Sequence, residues 1–194
     1  MSERRPYDRG TGDRRERFAA TAWPFMRDIY GAALRMCGRR EAAEDVVQET
    51  FLRAFRTFDG FTPGTNCKAW LFTIMQSVII NRAKHDGRRP EVSLDEETTE
   101  ASRLAMVDPN LTALVERAPA PEVEAALAAL PPDFRAVVLL VDLEELTYEE
   151  AAQALQCPVG TVRSRLARAR RQLAVALEEH ARRSGYATGP ERRS

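Results

Sequence analysis

The chain has 194 residues, 44% of them hydrophobic, with 29 basic side chains balanced by 29 acidic ones. That length holds one ordinary domain or two small ones, and the most apolar stretch, Ala136 to Val141, is too short to span a membrane and reads as a core helix segment. A net charge of zero says little by itself; its distribution along the chain says more.

Residues 1–13 hold Glu3, Arg4, Arg5, Asp8 and Arg9 among Pro6, Gly10 and Gly12, and read as a mobile tail. No apolar block follows, so the start of the chain does not read as a secretory signal. From about Arg14 to Arg89 the pattern is helical almost throughout. A helix is expected over 41–58, with Val47, Phe51, Ala54 and Phe58 on one stripe, widened by Leu52 and Phe55. Its opposite side carries Asp45, Gln48, Glu49, Arg53 and Arg56. Gly60, Pro63 and Gly64 break it. A second helix is expected over 65–86, with Trp70, Leu71, Ile74, Val78 and Asn81 in register. It runs into a basic cluster of Arg82, Lys84, Arg88 and Arg89 beside His85, with Gly87 as a C-terminal stop. Those cations suit the end of a helix dipole and equally suit phosphates.

Composition changes over 90–121. Glu91, Asp95, Glu96, Glu97 and Glu100 are followed by Asp108-Pro109-Asn110 and Ala118-Pro119-Ala120-Pro121, the marks of a flexible acidic linker. Helical periodicity returns over 122–183, before a polar tail at 184–194. Phe134, Val137, Val138 and Val141 form a stripe after Pro131-Pro132-Asp133, which suits a helix start. Thr147 and Glu150 then have capping-box spacing, so a short helix should begin at Tyr148 and end near Leu155. After Gln156 and Cys157, Pro158 fits the first position of another helix, with Cys157 as its cap. Two helices joined by so tight a turn make a helix-turn-helix.

The second of these helices, PVGTVRSRLARARRQL, has five arginines and no acid over 158–173. Val162, Leu166, Ala169 and Leu173 fall on one face and should pack on the first helix. Gly160, Ser164, Arg168 and Arg171 fall opposite, flanked by Thr161, Arg163 and Arg165. The N-terminal end of such a helix enters the major groove, where arginine bonds a guanine edge or a phosphate. A merely solvated helix would mix Glu with its Arg for i,i+4 pairing.

The three cysteines, Cys37, Cys67 and Cys157, are odd in number and form no CxxC pair, which predicts free thiols in a reducing cytoplasm. His85 and His180 stand alone, without zinc-ligand spacing, so no metal or other cofactor is expected. There is no Gly-rich phosphate loop and no Ser/His/Asp set, so the chain does not read as an enzyme. No strand alternation and no internal repeat is evident. The expected fold is all-α: two small helical domains, 14–89 and 122–183, joined by the acidic linker.

Three blocks, in this order, resemble the extracytoplasmic-function (ECF) sigma factors, the group-four branch of the bacterial sigma-70 family. AAEDVVQETFLRAFRTFDGF, 42–61, resembles the region 2.2 helix that binds the clamp helices of the RNA polymerase β′ subunit. NCKAWLFTIMQSVIINRAKHDGRRP, 66–90, resembles regions 2.3 and 2.4, which melt and read the −10 element. LTYEEAAQALQCPVGTVRSRLARARRQL, 146–173, resembles region 4.2, which reads the −35 element. The resemblance covers about residues 15–180. It implies a promoter-specificity factor in a stress response, with core RNA polymerase (β′ clamp helices and β flap), promoter DNA and an anti-sigma factor as partners and no membrane insertion. Residues 61–75 and the chain's ending look most like the oxidative-stress sigma factors partnered by a zinc-containing anti-sigma factor.

The resemblance also distributes roles. Asp45, Gln48, Glu49 and Arg53 match the polymerase-binding face. Phe61, Asn66, Lys68, Ser77, Asn81, Lys84, Arg88 and Arg89 match the −10 surface, where a flipped base needs a pocket, an apolar wall and nearby cations. Thr161, Arg163, Ser164, Arg165, Arg168 and Arg171 match the −35 surface. Trp70 lies on the apolar stripe and reads as core. The position of Ser77 is commonly Asn in the family; a hydroxyl is shorter than an amide and less specific for a base. Two other readings address only part of these features. A repressor or response-regulator output domain leaves residues 14–89 without a role. A sigma mimic that binds only an anti-sigma factor has no use for groove-facing arginines.

Overall fold

The computed structural model describes residues 7–86, 121–178 and 182, and all regular structure among them is helical. The chain divides into two units, one ending at Leu114 and the other beginning at Val115. No helix among the described residues is long and apolar enough to cross a membrane. The linker up to Ala120, Gly87, Arg88, Arg89 and the tail 184–194 lie outside the described residues.

In the first unit, α1 (Tyr7–Ala22) leads through a 3-10 turn, Trp23–Phe25, to α2 (Met26–Cys37), α3 (Arg40–Thr57), a second 3-10 turn, Phe58–Gly60, and α4 (Cys67–Asp86). α1 begins inside the stretch expected to be a tail. The glycines there cost helix propensity, but Asp13 and Arg17 form an i,i+4 ion pair, and the rest of the helix is anchored. Its anchors are Phe18, buried edge-on against Phe51, Phe55 and Phe58, and Arg14. The Arg14 guanidinium donates to the Phe55 and Arg56 carbonyls at 2.7 and 3.1 Å, pairs with Asp59 at 3.2 Å and lies over the Phe55 ring. It thereby satisfies the open C-terminal carbonyls of α3.

α3 packs against both α2 and α4. Its inner stripe is the expected one: Val47, Phe51, Ala54 and, just past its end, Phe58 are buried. α2 stops at Gly38, whose φ of +69° and N–H to the Leu34 carbonyl (2.8 Å) form a left-handed cap. α4 departs from the expected register. Leu71 and Val78 are fully buried as expected, but so are Phe72 and Met75 outside the expected stripe, while Trp70, Ile74 and Asn81 are only half-buried. The sequence LFTIM is apolar nearly all round, so periodicity alone does not select the face that meets α1, α2 and α3. α4 also begins at Cys67 rather than 65, because Asn66 caps it.

The second unit comprises α5 (Pro121–Ala129), α6 (Pro132–Val138), a π-helical turn (Leu139–Leu143), α7 (Tyr148–Ala154) and α8 (Val159–Ala176). Ala136 through Leu140 are buried without interruption. Arg135 donates to the carbonyls of Leu127, Ala128 and Leu130 and so closes the end of α5. The core is completed by Leu146, Ala151, Ala154, Val162, Leu166 and Ala169. Each fully buried Leu or Val among them contributes about 1.5–3 kcal/mol over an exposed position.

Candidate nucleic-acid interfaces

α7 and α8 pack together as the expected helix-turn-helix. The capping box is complete: the Thr147 hydroxyl accepts the Glu150 N–H at 3.2 Å, and the Glu150 carboxylate accepts the Thr147 N–H at 2.9 Å. The turn places Gln156 at φ +52°, and the Cys157 N–H donates to the Ala152 carbonyl. The start of α8 differs from expectation by one residue. Pro158 is the cap, with an extended ψ of 145°, and its carbonyl accepts from Thr161 and Val162. Cys157 therefore lies outside the helix.

Along α8, Val162, Leu166 and Ala169 are buried and Leu173 is half-buried. Gly160, Arg163, Ser164, Arg168 and Arg171 are exposed; Thr161 and Arg165 are half-buried. The split between inner and outer faces is the one the sequence predicts. Three arginines have intramolecular partners that the spacing did not reveal. Arg165 meets Asp133 at 2.6 Å. The Arg163 guanidinium lies 5.6 Å from the centre of the Tyr148 ring. Arg170, flanking the outer face, grips Asp142 through Nε (3.1 Å) and Nη2 (2.5 Å), and this bonding holds its pKa above the usual arginine value. Asp133, Asp142 and Tyr148 are remote from α8 in sequence, and only the packing of α6 and α7 against it brings them there.

In the first unit, Phe61 is half-buried. Its ring stacks 6.0 Å from Phe58, with planes 9° apart, and lies 4.9 Å from Trp70. Trp70 in turn faces Phe58 at 6.4 Å, so both aromatics belong to one cluster at the junction of α3 and α4. The intervening loop turns at Gly64, φ +87°, a conformation costly for any residue with a Cβ. Asn66 accepts the Ala69 N–H at 3.2 Å as the cap of α4. Lys68 reaches back to Asp28 on α2 at 3.1 Å. Ser77 and Asn81, one turn apart on α4, are both half-buried. Lys84 lies in the last turn of α4, but its side chain, like Arg88 and Arg89, is outside the described residues. Cys67 is buried, which pushes its thiol up to about 11.

The outer side of α3 carries the remaining candidates. Asp45 and Gln48 are exposed, while Glu49 and Arg53 are half-buried and joined at 2.5 Å as an i,i+4 pair. Asp45 also meets Arg82 of α4 at 3.2 Å. This places one acid of the expected polymerase-binding face against the first cation of the basic cluster, a link that reading each helix separately does not reveal.

Comparison with known proteins decides what these two units are. The family profile for Sigma-70 region 2 matches residues 24–89, and that for Sigma-70, region 4, matches residues 121–173. The ECF RNA polymerase sigma factor EcfG of Rhodopseudomonas palustris is 41% identical over 145 residues, covering 75% of this chain and 76% of that protein. The chain belongs to the ECF branch of the sigma-70 family. The ECF RNA polymerase sigma factor SigE of Mycolicibacterium smegmatis is 38% identical over 153 residues, 78% of this chain; the match spans 58% of that protein's own length. Among solved structures, the sigma factor RpoE of Bartonella quintana, in complex with the anti-sigma factor NepR, superposes with a TM-score of 0.60. That match is at 26% identity and covers 86% of this chain and 97% of RpoE. In this sigma factor the region 2 match contains α2, α3 and α4 together with the Phe61 cluster, and the region 4 match contains the helix-turn-helix. α1, with Arg14 and Phe18, lies before the region 2 match.

Proposed function

We propose that the chain directs core RNA polymerase to promoters: its helix-turn-helix unit reads the −35 element, and its first unit binds the polymerase and opens the −10 element. The observation that carries this reading is α8. Its inner face is buried, and its outer face presents Arg163, Ser164, Arg168 and Arg171 without an acidic residue on the helix. In this reading Arg163 and Arg165 make base contacts with Ser164 and Thr161 beside them, while Arg168 and Arg171 hold phosphates. At −10, the half-buried Phe61, Ser77 and Asn81 line the site for an unstacked base, with Asn66 and Lys68 at its rim and Lys84, Arg88 and Arg89 along the strand. Asp45, Gln48, Glu49 and Arg53 form the polymerase-binding face.

The polymerase performs the chemistry; the chain itself is no enzyme and acts in the cytoplasm. Control by an anti-sigma factor is supported by the likeness to RpoE, solved as a complex with NepR. Run-off transcription with purified core polymerase tests the proposal. Transcripts from a defined subset of templates, only when the chain is added, are the expected result. A chain that neither binds core polymerase nor changes template choice overturns it.

A further inference from the structure

The arginines of α8 fall into two groups. Arg168 and Arg171 are exposed and form no ion pair with any described residue. Arg163 and Arg165, nearer the N-terminal end, are each held by a residue of another element. Asp133 stands in the first turn of α6, and its exposed carboxylate contacts Arg165 at 2.6 Å. Tyr148 is the first residue of α7, fixed behind the Thr147–Glu150 capping box. Its ring lies beneath Arg163, and the neighbouring Arg170 is clamped by both oxygens of Asp142.

We propose that Asp133 and Tyr148 are positioning residues for −35 recognition, holding the Arg165 and Arg163 guanidinium groups in one orientation before DNA arrives. The proposal rests on the reading of α7–α8 as the −35 unit and adds to it the residues that set its specificity from outside α8. Arginine has a long side chain with much rotamer freedom to lose, and a group already ordered loses less on binding. A guanidinium carries five N–H donors in a rigid fork, more than one carboxylate takes up, so Arg165 keeps donors for a base edge. A cation held over an aromatic face engages none of its N–H donors, so Arg163 keeps all of them for a base edge while its position is restrained. Phosphate contacts need no such orientation, which agrees with Arg168 and Arg171 having no such holder.

The test uses the full chain assembled with core polymerase, and a pool of promoter duplexes randomised over the −35 segment. Base preferences are measured for Asp133→Asn, Asp133→Glu, Tyr148→Leu, Tyr148→Phe, Arg163→Ala and Arg165→Ala, with the melting temperature of each variant. Asp133→Asn is expected to flatten, by about three- to tenfold, the base preference that Arg165→Ala loses, with little change in melting temperature. Asp133→Glu, which keeps the charge, should recover most of it. Tyr148→Leu should flatten the preference that depends on Arg163, and Tyr148→Phe, which keeps the ring, should retain it. If Asp133→Asn and Tyr148→Leu keep wild-type preferences while the two arginine variants lose theirs, the positioning role is overturned. If the arginine variants also keep wild-type preferences, it falls together with the helix-turn-helix reading itself. Asp133 is 65% exposed, so its variants decide the matter even if Tyr148→Leu fails to fold.

Discussion

The outer face of α8 and the stretch from Phe61 to Asn81 are both proposed to touch promoter DNA, yet they are built on opposite plans. On α8 the candidate side chains stand apart from the core, and the buried stripe of Val162, Leu166 and Ala169 does the structural part. Around Phe61 the residues proposed to meet DNA also hold the fold together. Phe61 stacks in the Phe58–Trp70 cluster, Asn66 caps α4, and Lys68 ties α4 to α2. A duplex read from outside needs a rigid helix with a free face. A base drawn out of its stack needs a pocket, and a pocket wall must be part of the fold. Substitutions should therefore separate fold from function cleanly on α8 and mix the two near Phe61.

The largest effect expected from this contrast is on stability. Leu166→Ala removes a buried side chain and should destabilise the second unit by about 2–5 kcal/mol. Arg168→Ala, on the same helix but exposed, should leave the thermal transition within about 0.5 kcal/mol of wild type. Circular dichroism melts compare the two directly, and equal losses would remove the division into inner and outer faces.

Asn66 sharpens the comparison from the other side. Asn66→Ala should cost about 1 kcal/mol through the lost cap and weaken −10 binding as well. Asn66→Asp preserves the cap, since aspartate accepts the same N–H, but presents an anion to DNA. Wild-type stability with weakened binding to a −10 single strand is the expected result for Asp. Unchanged binding by both variants would leave Asn66 a cap and nothing more.

The smallest stability effects belong to the outer side of α3. Asp45→Lys and Glu49→Lys break surface ion pairs worth roughly 0–1 kcal/mol each, so melting should barely move. Competition for core polymerase against a second sigma factor should nevertheless fall several-fold in both. Undiminished competition would return these acids to the role of a solvated helix face.

How much of this was legible in the sequence follows from the same contrast. The Thr147–Glu150 cap, the α3 stripe and the two faces of α8 follow from local spacing, because each depends on residues within a few turns of one another. The register of α4 did not follow, since its apolar run offers several stripes and three helices compete to cover it. The start of α1 was hidden by glycines whose cost is offset by the remote contacts of Arg14 and Phe18. At the candidate sites the residue types were legible and their partners were not. Asp133 for Arg165, Tyr148 for Arg163, Asp28 for Lys68 and Arg82 for Asp45 come from separate helices, and no spacing rule links them.

The central claim is a division of labour, with α8 reading one promoter element and the Phe61–Asn81 region reading another. Its most direct test is selection by polymerase carrying this chain from templates randomised at both elements, run with wild type, Arg163→Ala and Ser77→Ala. Arg163→Ala should relax a base preference in the upstream element only, by about 1–3 kcal/mol, and Ser77→Ala should alter the downstream element only. Changes at both elements from either substitution, or at neither from both, would contradict it.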